Sequence, residues 1–164
     1  MESLSKPQPK GSHSQVHIAR HPMHPMLVTF PIAFLIGGFF CDAAYLFLGD
    51  GFWARAALWL VGAGTLMGIL AGIAGTIELL AVAGIRRRAV SWSHFVAAVM
   101  LLAVSFINWV VRLPGADDPT VGWINIYLSA LGAGLVAIAG WLGGKLVFEH
   151  QIGIHDEEEE EQLV

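Results

Sequence analysis

The sequence has few charged residues and almost no cysteine. Only 13% of its 164 residues are Asp, Glu, Lys or Arg, about half of the roughly 25% in a typical soluble domain. The single cysteine, Cys41, excludes an internal disulfide and leaves no CxxC pair for a thiolate metal site. The nine basic residues form no continuous stripe, so we expect no binding to nucleic acid.

What the sequence has in excess is apolar surface, since 55% of its residues are hydrophobic. A soluble protein this short could not bury so much apolar surface, whereas a lipid bilayer accepts it. The net charge of −4 comes from the acidic run Asp156–Glu161, and the remainder of the chain is mildly basic. The composition therefore predicts a protein that lies in a membrane.

Four stretches reach the roughly 20 apolar residues that a helix needs to cross a bilayer. They run from about Met26 to Leu48, Ala56 to Ile85, Trp92 to Val111 and Trp123 to Val147. The links between them are short, so neighbouring helices must be antiparallel. The prediction is an all-α, integral membrane four-helix bundle with up-down-up-down topology. Its expected parts are a flexible arm (1–24), the transmembrane domain (25–150) and an acidic tail (151–164).

The distribution of Lys and Arg predicts the orientation in the membrane. Positive charge is concentrated in the N-terminal arm and in the loop Arg86–Arg88. Because such residues are retained on the cytoplasmic side, we expect both termini to be cytoplasmic in a bacterial inner membrane.

Glycine is frequent in the second and fourth spans. The residues concerned are Gly64, Gly68 and Gly72 in the second span, and Gly132, Gly140, Gly143 and Gly144 in the fourth. Small residues let membrane helices approach closely, so both faces are predicted to pack against neighbouring helices. The alternative is that glycine is simply common in membrane helices.

Ionisable residues at membrane depth are functional candidates, because they are costly to place there. Each of the four spans brings one such residue toward the predicted cytoplasmic end: His24, Glu78, His94 and His150. We expect them to converge in one cofactor-binding pocket. The three histidines are candidate ligands for a transition metal or a b-type haem, and Glu78 is a candidate to adjust the site or carry a proton.

The alternative is that the histidines are interfacial polar residues and that Glu78 is a protonated acid that serves helix assembly. No HExxH or CxxCH motif and no nucleophile–base pair is present. The chain is therefore not expected to be an enzyme on its own.

Two further patterns predict relationships between helices. His24 with Ala74-Gly75 and His94 with Ala139-Gly140 indicate a weak internal repeat, in which the two histidines are equivalent. Near the other end, Asp42 is expected to pair with Arg55 or Arg112, and Asn108 is expected to bond to another helix.

The segments HPMLVTFPIA (24–33) and GWLGGKLVFEHQIGI (140–154) resemble a bacterial family of small four-helix predicted membrane proteins of unknown function. That family has an HPxxVxFPIA opening and a GWLGGxLVxxHxxGV ending. Ile154 replaces the final Val, and Glu78 stands where Asp is more usual. The resemblance implies the membrane bundle, and it implies a redox role through links to iron–sulfur and cytochrome-type partners.

Two functions of different class follow from these patterns. The first is a redox-linked protein with a metal or haem at the cytoplasmic end of the bundle. The second is a structural or partner-binding subunit without cofactor. In both cases the protein is expected to contact the lipid bilayer. The expected protein partner is a redox protein or a second copy of the chain. Transport is less favoured, because no pair of broken helices is evident.

Overall fold

The computed structural model of the chain describes residues 17–18 and 21–149. In chain order its elements are β1 (His17–Ile18), β2 (His21–Pro22), α1 (Met23–Leu48), α2 (Gly51–Ala81), α3 (Ala83–Arg86), α4 (Ala89–Val110), a 3-10 helix (Leu113–Gly115) and α5 (Trp123–Phe148). The two strands form one short antiparallel pair just before α1. Apart from that pair, the regular secondary structure of the described chain is helical.

The four long helices, α1, α2, α4 and α5, are each long and apolar enough to cross a membrane. Helix α1 packs along α2 and α4 packs along α5, and the bundle is closed by contacts between α1 and α5 and between α2 and α4. Helices that are consecutive in the chain are thus neighbours, so the predicted up-down-up-down bundle is confirmed. Helix α2 is the most buried span, and large apolar side chains such as Phe47 and Trp141 lie on the outside.

The helix boundaries differ from the prediction mainly in the second span. Helix α2 begins at Gly51, because the Asp50 carboxylate accepts a hydrogen bond from the backbone N–H of Phe52 and caps the helix. Before it, Gly49 has a φ of +68° that favours glycine. The span was predicted to continue to Ile85, but α2 ends at Ala81, since Val82 is extended and separates it from α3.

Glycines of α2 allow close contact with α1 and α4. A Cβ at Gly64 would lie 2.9 Å from Leu35, and one at Gly68 would lie 2.6 Å from Leu102. The prediction for α5 is wrong in part. Gly140 is exposed, and among the described residues no atom of another helix lies within 4 Å of a Cβ position at Gly140 or Gly144, so those two glycines do not bring helices together.

Candidate functional site

His24, the second residue of α1, is held by the helix that follows it in the chain. Its Nδ1 lies 2.8 Å from the carbonyl oxygen of Ala71 in α2. A carbonyl oxygen only accepts, so Nδ1 carries the hydrogen and donates it. Gly75, one turn further along α2, makes room for the ring, because a Cβ there would lie 2.8 Å from Nδ1.

His94 in α4 is held in the same way by α5. Its Nδ1 lies 2.9 Å from the carbonyl oxygen of Ala139 and donates to it. Gly143, again four residues after the carbonyl, faces the ring, since a Cβ there would lie 3.3 Å from Cε1 of His94. Each hairpin therefore holds one histidine between a helix carbonyl and a glycine.

The two histidine rings meet inside the bundle. Their centroids are 6.0 Å apart and their planes are inclined at 85°. With the hydrogen on Nδ1, the neutral form of each ring carries its lone pair on Nε2. Neither Nε2 makes a hydrogen bond to any residue in 17–18 or 21–149. Two potential ligand nitrogens are thus available at one end of the bundle, called here the histidine end.

The geometry corrects the register of the internal repeat. The prediction matched Ala74-Gly75 with Ala139-Gly140. In the structure, Ala71 corresponds to Ala139 and Gly75 to Gly143, so the α2 residue that matches Ala139 lies three positions earlier than predicted. The signal that could have found these residues is the pattern AGxxG, which occurs as AGIAG at 71–75 and as AGWLG at 139–143.

Glu78 and His150 were the other two residues predicted for this site. Glu78 lies on the same face of α2 as Ala71 and Gly75, further toward the histidine end, and is 9% exposed. Its carboxyl group makes no hydrogen bond or ion pair with the described residues. His150 lies outside those residues. Within the described chain, no three His, Cys, Asp or Glu residues are grouped as a metal site would require.

A second buried polar cluster lies at the opposite end of the bundle, called here the Arg112 end. Arg112 follows α4 and donates from Nη1 and Nη2 to the two carboxylate oxygens of Asp42 in α1, at 2.9 and 2.6 Å. Of the two partners predicted for Asp42, the structure selects Arg112, while Arg55 is exposed.

Side chains of α4 and α5 complete this cluster. Arg112 Nε donates to Oδ1 of Asn108, and Asn108 Nδ2 donates to Oγ of Ser129 at 2.8 Å. The Ser129 hydroxyl donates in turn to Asp42. The predicted bond from Asn108 to another helix is therefore confirmed, and the network joins α1, α4 and α5 without using the histidine end.

The fold and the polar clusters together define an integral membrane protein of four spanning helices. The chain belongs to the family described as predicted membrane protein (DUF2231), whose family model matches residues 20–156. The resemblance found in the sequence is thereby confirmed. No curated protein and no solved structure matches the chain.

Proposed function

We propose that this membrane protein binds a haem or a transition-metal ion at the histidine end, with His24 and His94 as ligands. The observation that carries the proposal is that both rings donate from Nδ1 to a helix carbonyl. Histidines that bind metals are commonly fixed in this way, since the bond sets the tautomer and leaves Nε2 for the metal. Two such rings, one from each hairpin, meet 6.0 Å apart.

The separation of the rings agrees with shared ligation. With a nitrogen–metal distance of about 2.0–2.1 Å, two imidazoles on opposite sides of one metal atom have ring centroids about 6.4 Å apart. The observed 6.0 Å is close to that value, and shared ligation further requires that Nε2 of each ring points toward the metal atom.

Haem is the favoured cofactor because two imidazoles suffice for it. A haem iron takes four nitrogens from the macrocycle and needs only axial ligands from the protein. A structural zinc ion needs about four protein ligands, and no group of three candidate ligands occurs in the described part of the chain. The macrocycle would have to enter between α1 and α4, which lie across the diagonal of the bundle.

The remaining predicted residues have supporting roles in this proposal. Glu78 holds a proton or adjusts the site, since its buried carboxyl lies on the same helix face as the residues that contact His24. His150 is a candidate third ligand if a bare metal ion is bound. The cofactor would pass electrons to or from a redox-protein partner or a second copy of the chain, without the protein itself being an enzyme.

The proposed location is a bacterial inner membrane with both termini in the cytoplasm, and the proposed parts are the arm (1–24), the transmembrane domain (25–150) and the tail (151–164). The support is the positive charge of Arg86–Arg88 at the histidine end. A periplasm-active reporter fused after Val164 should give no signal, and a strong signal would reverse the orientation.

The test is to measure haem and metal content in the protein purified in mild detergent from cells supplied with haem precursor and iron. The wild type should contain close to one haem, or one metal ion, per chain, and His24→Ala and His94→Ala should each lose most of it. His17→Ala is the matched control, because it removes an imidazole just before α1. A wild type with neither haem nor metal would contradict the proposal.

A structural or partner-binding subunit is the second candidate. It is favoured by the bonds from His24 to Ala71 and from His94 to Ala139, which join helices without any cofactor. In that case the wild type contains no cofactor, and His24→Ala still lowers the unfolding temperature in detergent because α1 loses a contact with α2.

A further inference from the structure

A cleft of about 200 Å³ opens at the Arg112 end, beside the buried network. It lies between the first turns of α2, the end of α4 and the first turn of α5. Ala54, Leu58 and Val111 give it an apolar wall, and Arg112 and Asn125 contribute polar atoms. The cleft is smaller than the roughly 300–1,000 Å³ of sites for drug-sized ligands, so its ligand must be small.

The cleft is also lined by the hydroxyl-bearing Thr120, and two of its polar residues, Asn125 and Arg112, have hydrogen-bond donors that are not used within the described chain. Asn125 is 6% exposed, and its Oδ1 accepts from the backbone N–H of Gly122 at 2.9 Å. Its amide Nδ2 makes no hydrogen bond within the described chain. Arg112, also 6% exposed, has five N–H groups and uses four of them, which leaves one on Nη1. Asn125 Nδ2 is not enclosed by protein atoms, so it can donate to an acceptor that enters the cleft.

The charge arrangement favours an acceptor that is an anion. Arg112 lines the cleft, whereas Asp42, its partner, does not. The positive end of the ion pair therefore faces the cleft, and no Asp or Glu is among the lining residues. In a partly buried site this field is weakly screened.

We propose that this cleft binds a small monocarboxylate. The carboxylate oxygens accept from Nδ2 of Asn125 and from the remaining N–H of Arg112 Nη1, and a short apolar tail lies against Ala54 and Leu58. The proposal is independent of the histidine end, because it shares no residue with it.

The test uses butyrate as the probe and the full chain in detergent, with binding followed by saturation-transfer NMR and by the unfolding temperature. Asn125→Asp is the decisive variant, because it retains the acceptor for Gly122 and places a negative charge and no amide donor in the cleft. We expect butyrate to bind the wild type and to bind Asn125→Asp at least about tenfold more weakly. Ala116→Asp is the control for charge, because Ala116 is exposed and does not line the cleft. It should bind like the wild type.

Butyramide separates the charge of the ligand from its shape. It should bind much more weakly than butyrate, and equal binding would overturn the assignment to a carboxylate. Absence of butyrate binding to the wild type, or equal binding by the wild type and Asn125→Asp, would overturn the site itself.

Discussion

The guanidinium of Arg112 meets both carboxylate oxygens of Asp42 inside the bundle, with the two side chains only 3% and 0% exposed. The pair links α1 to the end of α4, and it is surrounded by hydrogen bonds to Asn108 and Ser129. A charge pair so well buried is sensitive to the loss of one partner, because the other charge then remains without compensation.

Asp42→Asn should therefore lower the free energy of unfolding by about 3–5 kcal/mol, measured by denaturant unfolding in detergent. The double variant Asp42→Leu/Arg112→Leu removes both charges and should recover much of that loss. If Asp42→Asn unfolds like the wild type, the ion pair does not stabilise the bundle.

Gly68→Leu should destabilise the bundle by about 1–3 kcal/mol, the usual cost of overpacking. The reason is that even a Cβ at this position would lie 2.6 Å from the Leu102 side chain and 3.6 Å from Pro31. The matched control is Gly140→Leu, because Gly140 is exposed and has no atom within 4 Å of its Cβ position. Equal unfolding temperatures for the two variants would mean that the α2 glycine face is not a close contact.

Gly75→Ala tests whether the His24 ring is packed against Gly75. A Cβ would lie 2.8 Å from Nδ1, so the ring must move and its bond to Ala71 is lost. That loss of about 1 kcal/mol and the added strain of about 1–3 kcal/mol exceed the gain of up to about 1 kcal/mol from replacing glycine by alanine in a helix. The unfolding temperature should fall.

The control for this prediction is Gly144→Ala, where the nearest atom, in Phe148 of the same helix, is 3.9 Å away. Only the gain in helix propensity remains there, so this variant should be unchanged or slightly more stable. A stabilising Gly75→Ala would show that the His24 ring is not confined as the structure indicates.

The four spans could be predicted because length and hydropathy alone decide whether a segment crosses a bilayer. The break at Val82 could not, since it is a local backbone conformation inside an apolar run and neither Gly nor Pro occupies that position. The predicted start of α2 at about Ala56 is too late, because the charged Arg55 interrupts the apolar run, whereas the cap at Asp50 marks the start of the helix.

The sequence predicts at which end of the bundle each polar residue lies better than it predicts which residue it contacts. Hydropathy places Asp42 near one end of the bundle, but the choice between Arg55 and Arg112 depends on the rotation of each helix. Which carbonyl a histidine reaches depends on the same rotation. The equivalence of His24 and His94 was therefore visible in the sequence, whereas their bonds to Ala71 and Ala139 were not.

The most direct test of the central claim is pulsed electron paramagnetic resonance of the oxidised protein labelled with ¹⁵N-histidine. If His24 and His94 ligate one paramagnetic metal centre, the wild type should show hyperfine couplings from two imidazole nitrogens. The small fraction of the centre that remains in His94→Ala should show coupling from only one. A wild-type centre without coupling to histidine nitrogen, or couplings that persist unchanged in both His24→Ala and His94→Ala, would contradict the claim.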